Sequence, residues 1–366
     1  MKAGVITFHS AHNYGASLQT WALQQALKKL DVEPCVIHYH PEIIDRLYRA
    51  PKQDTFAKKR RYLLKKRYRA TVRQQWEKYE KYQTFLKEHL NLLGDFTDYE
   101  QLKAATLGLD VYITGSDQVW NSDHIGGYDP AYFLNFAERG KRKVSYAASV
   151  GRDYIYAQYR KDVEESLKDF TAISVREEST RPAIEALAKR PVCVTVDPTL
   201  LLKKEDYEQL RKPVKRQGKY ILVYMMEKNS ALISFANRIS VSLGIPVIQR
   251  RRQKIFKNEL YNFASDTPDE FLSEIEGAEF VLTNSFHGTV FSIIYEKPFV
   301  SMLHTSTGTR TSDLLKTLGL EDHILYQTSQ FQEFSQLLIK DKEALRKRVA
   351  QLQKESYQFL RDALFH

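Results

Sequence analysis

Cysteine is scarce: Cys35 and Cys193 are the only two in a chain of 366 residues. Two isolated thiols make no disulfide framework and lack the paired spacing of a zinc or redox site, which points to a reducing cytoplasm. Long apolar runs are missing too. No stretch approaches the roughly 18 residues of a membrane span, and the apolar start of MKAGVITFHS ends at His9, too early for a signal-peptide core. The chain has neither GxGxxG nor GxxxxGK[ST], so the usual dinucleotide and phosphate-loop readings lack support. No internal repeat, low-complexity segment or metal-ligand set is legible, so no metal and no cofactor are expected.

The chain does have size and positive charge. With 43% apolar residues it can bury two cores, at roughly 150 residues per domain. Its 55 Lys+Arg against 45 Asp+Glu give a net +10 and call for an anionic partner. Nine of those cations fall in AKKRRYLLKKRYRATVR, residues 57–73, which holds no acid; the rest of the chain carries 46 basic against 45 acidic residues. The segment runs into a helical stripe of Val72, Trp76, Tyr79, Tyr82 and Leu86, spaced 4, 3, 3 and 4 apart, so one face can dock. This reads as a basic helical insert at about 51–92. Its charges either lie on an anionic membrane surface, at roughly 1 kcal/mol per basic residue, or form a solvated face.

Around the insert, short β-rich runs alternate with helical patterns, the signature of α/β layers with parallel sheets. AGVITF, PCVIHY, DVYITGSD, KVSYAAS, AISVRE and VCVTVDP mark one domain over 1–200. KYILVYMM, IPVIQ and EFVLTNS mark a second over 201–345, and 346–366 reads as a terminal helix.

Polar clusters sit where the strands run out. In an open parallel sheet that edge binds ligands, because backbone N–H groups and helix N-termini face the crevice. In His12-Asn13-Tyr14-Gly15-Ala16, Gly15 and Ala16 permit close approach while Asn13 and Gln19 offer amides; the alternative is an ordinary turn capped by Asn13. Ser116, Asp117, Gln118 and Asn121 suit sugar hydroxyls, with Trp120 as a stacking face or as core. Arg176 ends a strand, ready for an anion or for an ion pair with Glu177 or Glu178. His287 lies in Asn284-Ser285-Phe286-His287-Gly288-Thr289 at a helix start, where the dipole disfavours its cation unless an anion is near; otherwise its ring satisfies a carbonyl. TSTGTR, residues 305–310, either closes over an anion with Arg310 or is a solvated loop before a helix capped by Ser312.

Taken in order, GVITFHSAHNYGASLQTWAL, ITGSDQVWN, SYAASVG, ISVREEST, VDPTLL, TNSFHGTVFSIIYEKPFV and RTSDLLKTLGL, spanning residues 4 to 320, resemble the polysaccharide pyruvyl transferase family. The resemblance implies an α/β fold of two Rossmann-like domains in a glycosyltransferase-B-like arrangement, with the site in the interdomain cleft and the C-terminal helix returning to the first domain. It implies transfer of pyruvate from phosphoenolpyruvate to two hydroxyls of a polysaccharide or its lipid-linked oligosaccharide precursor, as a ketal. His287 matches the active-site histidine and Arg176 a catalytic, donor-binding arginine. Arg310, Asn284, Ser285, Gly288 and Thr289 fall on the donor side; Asn13, Tyr14, Gly15, Gln19, Ser116, Asp117 and Gln118 on the acceptor side. Many members carry arginine two positions before the histidine, where this chain has Ser285, leaving Arg310 or the run Arg250-Arg251-Arg252 to compensate. A cytoplasmic location, peripheral on the inner face of the membrane, follows from such an acceptor.

Two other readings compete. A nucleotide-sugar glycosyltransferase of similar form needs an acidic ribose-binding position after the first helix, and none stands out. A nucleic-acid-binding protein using 57–73 leaves both sets of strand-end motifs unexplained, so no nucleic acid is expected.

Overall fold

The computed structural model describes residues 1–48, 66–213, 218–249, 259–262, 267–326 and 334–366. Residues 57–65 of the basic segment and Arg250-Arg251-Arg252 lie outside them, as do the side chains of residues 66–72.

Two parallel sheets organise the chain. Among the described residues the first has seven strands, β1 (Lys2–Ile6), β2 (Glu33–Tyr39), β3 (Leu92–Phe96), β4 (Val111–Thr114), β5 (Arg142–Ala148), β6 (Ala172–Val175) and β7 (Cys193–Val194), in the order β3-β2-β1-β4-β5-β6-β7. The second has five: β8 (Ile221–Tyr224), β9 (Val247–Gln249), β10 (Glu259–Asn262), β11 (Phe280–Thr283) and β12 (Phe299–Ser301), in the order β10-β9-β8-β11-β12. Each order reverses once, between β1 and β4 and between β8 and β11. Loops leaving neighbouring strands diverge there and open a crevice.

Helix Tyr14–Lys28 starts where Asn13 caps it, its Oδ1 accepting from the Gly15 N–H at 2.9 Å. Nearly all of it is buried, because it lies between the halves rather than on a surface. Tyr14 stacks on Phe271 at 4.6 Å and on Tyr224 at 5.6 Å, both from the second half. Helix Lys66–His89 docks on the same region. Tyr82, Phe85 and Leu86 are buried, Trp76 and Tyr79 are half-buried, and Tyr82 stacks on His12 at 4.9 Å.

The C-terminal helix Lys342–Phe365 ties the halves together. Leu345 joins the core shared by both, whereas Leu360, Ala363 and Leu364 pack with Ala3, Val5 and Val111 of the first sheet. Ser356 Oγ accepts from the Val196 N–H at 3.1 Å, and Gln353 Nε2 donates to the Leu200 carbonyl at 2.7 Å. Among the described residues no helix is long and apolar enough to cross a membrane.

Candidate active site

The two reversals face each other across a cavity of about 200 Å³. The β1 loop contributes Asn13, the β4 loop Asp117 and Gln118, and the β11 loop Asn284, Ser285 and His287. Thr7 Oγ1 donates to the Ser116 carbonyl at 2.8 Å, locking the two loops of the first sheet together. Asn284 does the same for the second: its Oδ1 accepts from the Met226 N–H at 2.7 Å and its Nδ2 donates to the Glu227 carbonyl at 2.9 Å.

His287 sits in the first turn of helix Phe286–Ile294, capped by Ser285, whose Oγ accepts from the Gly288 N–H at 3.3 Å. Its Nε2 faces the Asp197 carboxylate at 3.5 Å, and its Nδ1 lies against Gly15, where an added Cβ would come within 2.0 Å. A proton on Nε2, toward the carboxylate, leaves the Nδ1 lone pair for chemistry. Gly288 is required for similar reasons, since a Cβ there would meet Thr283 Oγ1 at 2.3 Å.

Asp197 is the hub behind the histidine. Its Oδ1 accepts from the Thr199 N–H at 3.0 Å and hydroxyl at 2.6 Å; its Oδ2 accepts from Arg176 Nη1 at 2.7 Å and Ser116 Oγ at 3.2 Å. Burial favours the protonated acid, but His287 and Arg176 outweigh it and hold the carboxyl well below the usual range. Arg176 also gives Nε to Glu177 at 3.0 Å. Burial opposes its charge, yet Glu177, Asp197 and Asp117 raise it above the ordinary arginine value.

Arg310 is different. It lies in the first turn of helix Thr309–Leu318, which begins earlier than a cap at Ser312 would place it, with Gly308 at the cap position. Its Nε and Nη2 donate to the Thr307 carbonyl at 3.2 Å and hydroxyl at 3.0 Å, and among the described residues no carboxylate pairs with it. Loss of water, then the nearby Arg176 charge, push it down to about 10, against the pull of Asp117, Glu177 and Asp197. Phe286 carries both guanidinium groups, Arg176 at 4.4 Å and Arg310 at 5.6 Å from its ring centre.

Other expected positions fall elsewhere. Tyr14 is fully buried in the aromatic core, so it does not face an acceptor. Gln19 is buried as well; its Nε2 donates to Thr7 Oγ1, the Ala16 carbonyl and Thr20 Oγ1, so that amide holds the fold. Ser116 is spent on Asp197 and the Ala147 carbonyl, and Thr289 on the Ser285 carbonyl and Ser301. Trp120 is core: it stacks on Phe133 at 5.2 Å and its Nε1 donates to the Tyr132 carbonyl at 3.0 Å. Arg176 lines a second cavity of about 230 Å³ behind Phe286 instead of the one at His287. Its pairing with Glu177 is the ion pair that the sequence left open; Glu178 pairs with Arg181 instead.

Residues 13–306 match the polysaccharide pyruvyl transferase family. The chain belongs to that family. No curated protein matches it. Among solved structures, UDP-GlcNAc 2-epimerase from Neisseria meningitidis, bound to UDP-GlcNAc, is 10% identical with a TM-score of 0.51, over 100% of this chain and 99% of that one. A putative UDP-N-acetylglucosamine 2-epimerase from Listeria monocytogenes is also 10% identical at 0.51, over 98% and 90%. At such identity they share the fold, two parallel α/β layers of glycosyltransferase-B type. Within this pyruvyl transferase family chain, the sequence reading missed Asp197, His124 and His304. The last two line the cavity and are lowered by burial, with Arg310 adding to it and Asp117 and Glu227, respectively, opposing. Asp197 had a signal, an Asp-Pro helix cap at the end of an apolar run.

Proposed function

We propose that the protein transfers pyruvate from phosphoenolpyruvate to two hydroxyls of a cell-surface polysaccharide or its lipid-linked precursor. Arg310 carries this reading: a guanidinium with no carboxylate partner among the described residues, at a helix N-terminus, lining the same cavity as His287. Such a cation is stabilised by an arriving carboxylate or phosphate. The size of the cavity, about 200 Å³, suits a three-carbon phosphoester better than a nucleotide sugar, since larger ligands take about 300–1,000 Å³.

In the reaction, one sugar hydroxyl attacks the carbon bearing phosphate while the methylene carbon gains a proton and becomes methyl. Phosphate leaves, and a second hydroxyl closes the ketal. The two hydroxyl protons end on the methyl carbon and the phosphate. His287 Nδ1 accepts the first and passes it on, a role worth about 10²- to 10⁴-fold. Asp197 sets its tautomer. Arg176 is a positioning residue acting through Asp197 and Phe286, while Arg310 binds the donor. Asn13, Asp117 and Gln118 face the acceptor, and the basic segment 57–73 rests on the anionic membrane carrying it.

The test is incubation of the purified chain with phosphoenolpyruvate and lipid-linked oligosaccharides, read by mass spectrometry for an added pyruvyl group. Thermal shift separates this from nucleotide-sugar transfer. Stabilisation by phosphoenolpyruvate supports it, and stabilisation by UDP-sugars alone refutes it.

A further inference from the structure

Outside the catalytic cavity, a cluster of histidines closes the same edge of the first sheet. His38, in β2, and His40, one residue beyond its end, stand two residues apart along the extended chain, so their side chains share a face. Asp95, on the adjoining β3, is brought beside them by the parallel register that pairs Tyr39 with Phe96. Ligand atoms of His38, His40 and Asp95 lie within 4.8 Å of one another.

Hydrogen bonds fix which nitrogens are available. His9 Nδ1 faces the Thr7 carbonyl at 3.1 Å, and a carbonyl only accepts, so that nitrogen bears the proton. His9 is fully buried, and its Nε2 accepts from His38 Nδ1–H at 2.8 Å. His38 Nε2 is thereby left as a lone pair, aimed at the Asp95 carboxylate 3.9 Å away. His40 is held on both sides: Nδ1–H donates to Asp45 at 3.1 Å, and without an ion Nε2–H donates to Asp95 Oδ1 at 2.6 Å, because a carboxylate oxygen only accepts. His38 Nε2, His40 Nε2 and the Asp95 carboxylate thus converge on one point, where a dication takes the place of the His40 proton.

The geometry points to a divalent transition-metal site formed by His38 Nε2, His40 Nε2 and Asp95, with Zn²⁺ as the ion its donors fit. Two imidazoles and one carboxylate are borderline ligands of the zinc type, bound at about 2.0–2.2 Å and so about 3.4 Å from one another in a tetrahedron; His40 and Asp95, at 2.6 Å, must part slightly, while His38, at 3.9 Å from Asp95, closes in. His9 and Asp45 supply the outer hydrogen bonds that metal-bound histidines require. Three protein ligands leave a fourth position open, and it faces a cavity of about 280 Å³ lined by Ser10, His12, Tyr48 and Lys87. Tyr48 also borders the cavity at His287. A bound ion would pin the ends of β2 and β3, and through His9 the β1 loop that leads to Asn13 and Gly15. The spacing His-x-His was in the sequence, but Asp95 joins only in the fold.

The full-length chain, stripped with chelator and dialysed, is titrated with Zn²⁺ by calorimetry and with Co²⁺ by visible absorption. One equivalent per chain and the intense bands of four-coordinate Co²⁺ are expected. Asp95 is exposed at the strand end, so Asp95→Asn keeps the fold. It should weaken Zn²⁺ at least about 10-fold, and Asp45→Asn by about 10- to 100-fold. His40→Ala should abolish the Co²⁺ bands. Absence of stoichiometric binding would leave His40 as an imidazolium between Asp45 and Asp95 and overturn the proposal. Unchanged affinity in Asp95→Asn would place the ion on other histidines and overturn it equally.

Discussion

Gly15→Ala isolates the position of the His287 ring, the proposed base. An alanine Cβ would stand 2.0 Å from His287 Nδ1 and 2.3 Å from its Cγ, so the ring must withdraw by more than 1 Å to regain the 3.4 Å of ordinary contact. Asp197 already holds the other nitrogen at 3.5 Å, so that withdrawal breaks the alignment of acid, ring and cavity. A displacement of about 1 Å in a reacting group costs about 100-fold in rate, or about 2.7 kcal/mol of barrier. The backbone itself does not object: Gly15 is in the first turn of a helix, where alanine is favoured by up to about 1 kcal/mol. The expected result is a variant that stays folded and is still stabilised by phosphoenolpyruvate through Arg310, with kcat for pyruvyl transfer down about 100-fold. Wild-type kcat in Gly15→Ala would refute the placement of His287 at the chemistry.

Arg310→Gln removes the cation that has no carboxylate partner. A hydrogen bond to a charged group is worth about 1.5–3 kcal/mol, so phosphoenolpyruvate should bind about 10- to 100-fold more weakly by thermal shift titration while the melting temperature of the free protein holds; unchanged binding sinks the donor assignment. Asp197→Asn leaves Arg176 and His287 without their shared counter-charge, and breaking a buried pair costs about 3–5 kcal/mol. Because folding lowers the Asp197 pKa, its contribution is complete above its unfolded value of about 3.9 and fades as pH falls toward the folded value. Calorimetry across acid pH should give a flatter limb for Asp197→Asn than for wild type, and parallel limbs would contradict the reasoning. For the basic segment 57–73, co-sedimentation with anionic but not neutral liposomes is expected, weakening with salt; equal pelleting with both removes the membrane role.

The alternation of strands and helices was legible because the apolar runs end in polar clusters, and the clusters after β1, β4 and β11 are the strand-end loops that line the cavity. Side-chain direction within them was not. Tyr14 and Asn13 are neighbours in one turn, yet one ring enters the interdomain core and the other amide caps the helix. Trp120, set among residues suited to sugar hydroxyls, finds Phe133 and a carbonyl, because a large ring gains more by burial than by waiting for a ligand. Asp197 was hidden for a different reason. Its local pattern, Asp-Pro-Thr, is that of any helix cap, and it does cap Thr199; only the fold brings Arg176 and His287 to its other oxygen.

The same reasoning bears on Ser285, where the family resemblance sets an expectation of arginine. Here the residue caps helix Phe286–Ile294 through Gly288 N–H, and a capping hydroxyl contributes about 1 kcal/mol. An arginine at 285 would surrender that cap and add a third guanidinium to a site that already holds two over the Phe286 ring. In the proposed function the cation comes from the neighbouring helix, as Arg310, whose first-turn position lets the helix N-terminus and the guanidinium act on one anion together. On the proposed function, the donor site is where the desolvated Arg310 meets His287.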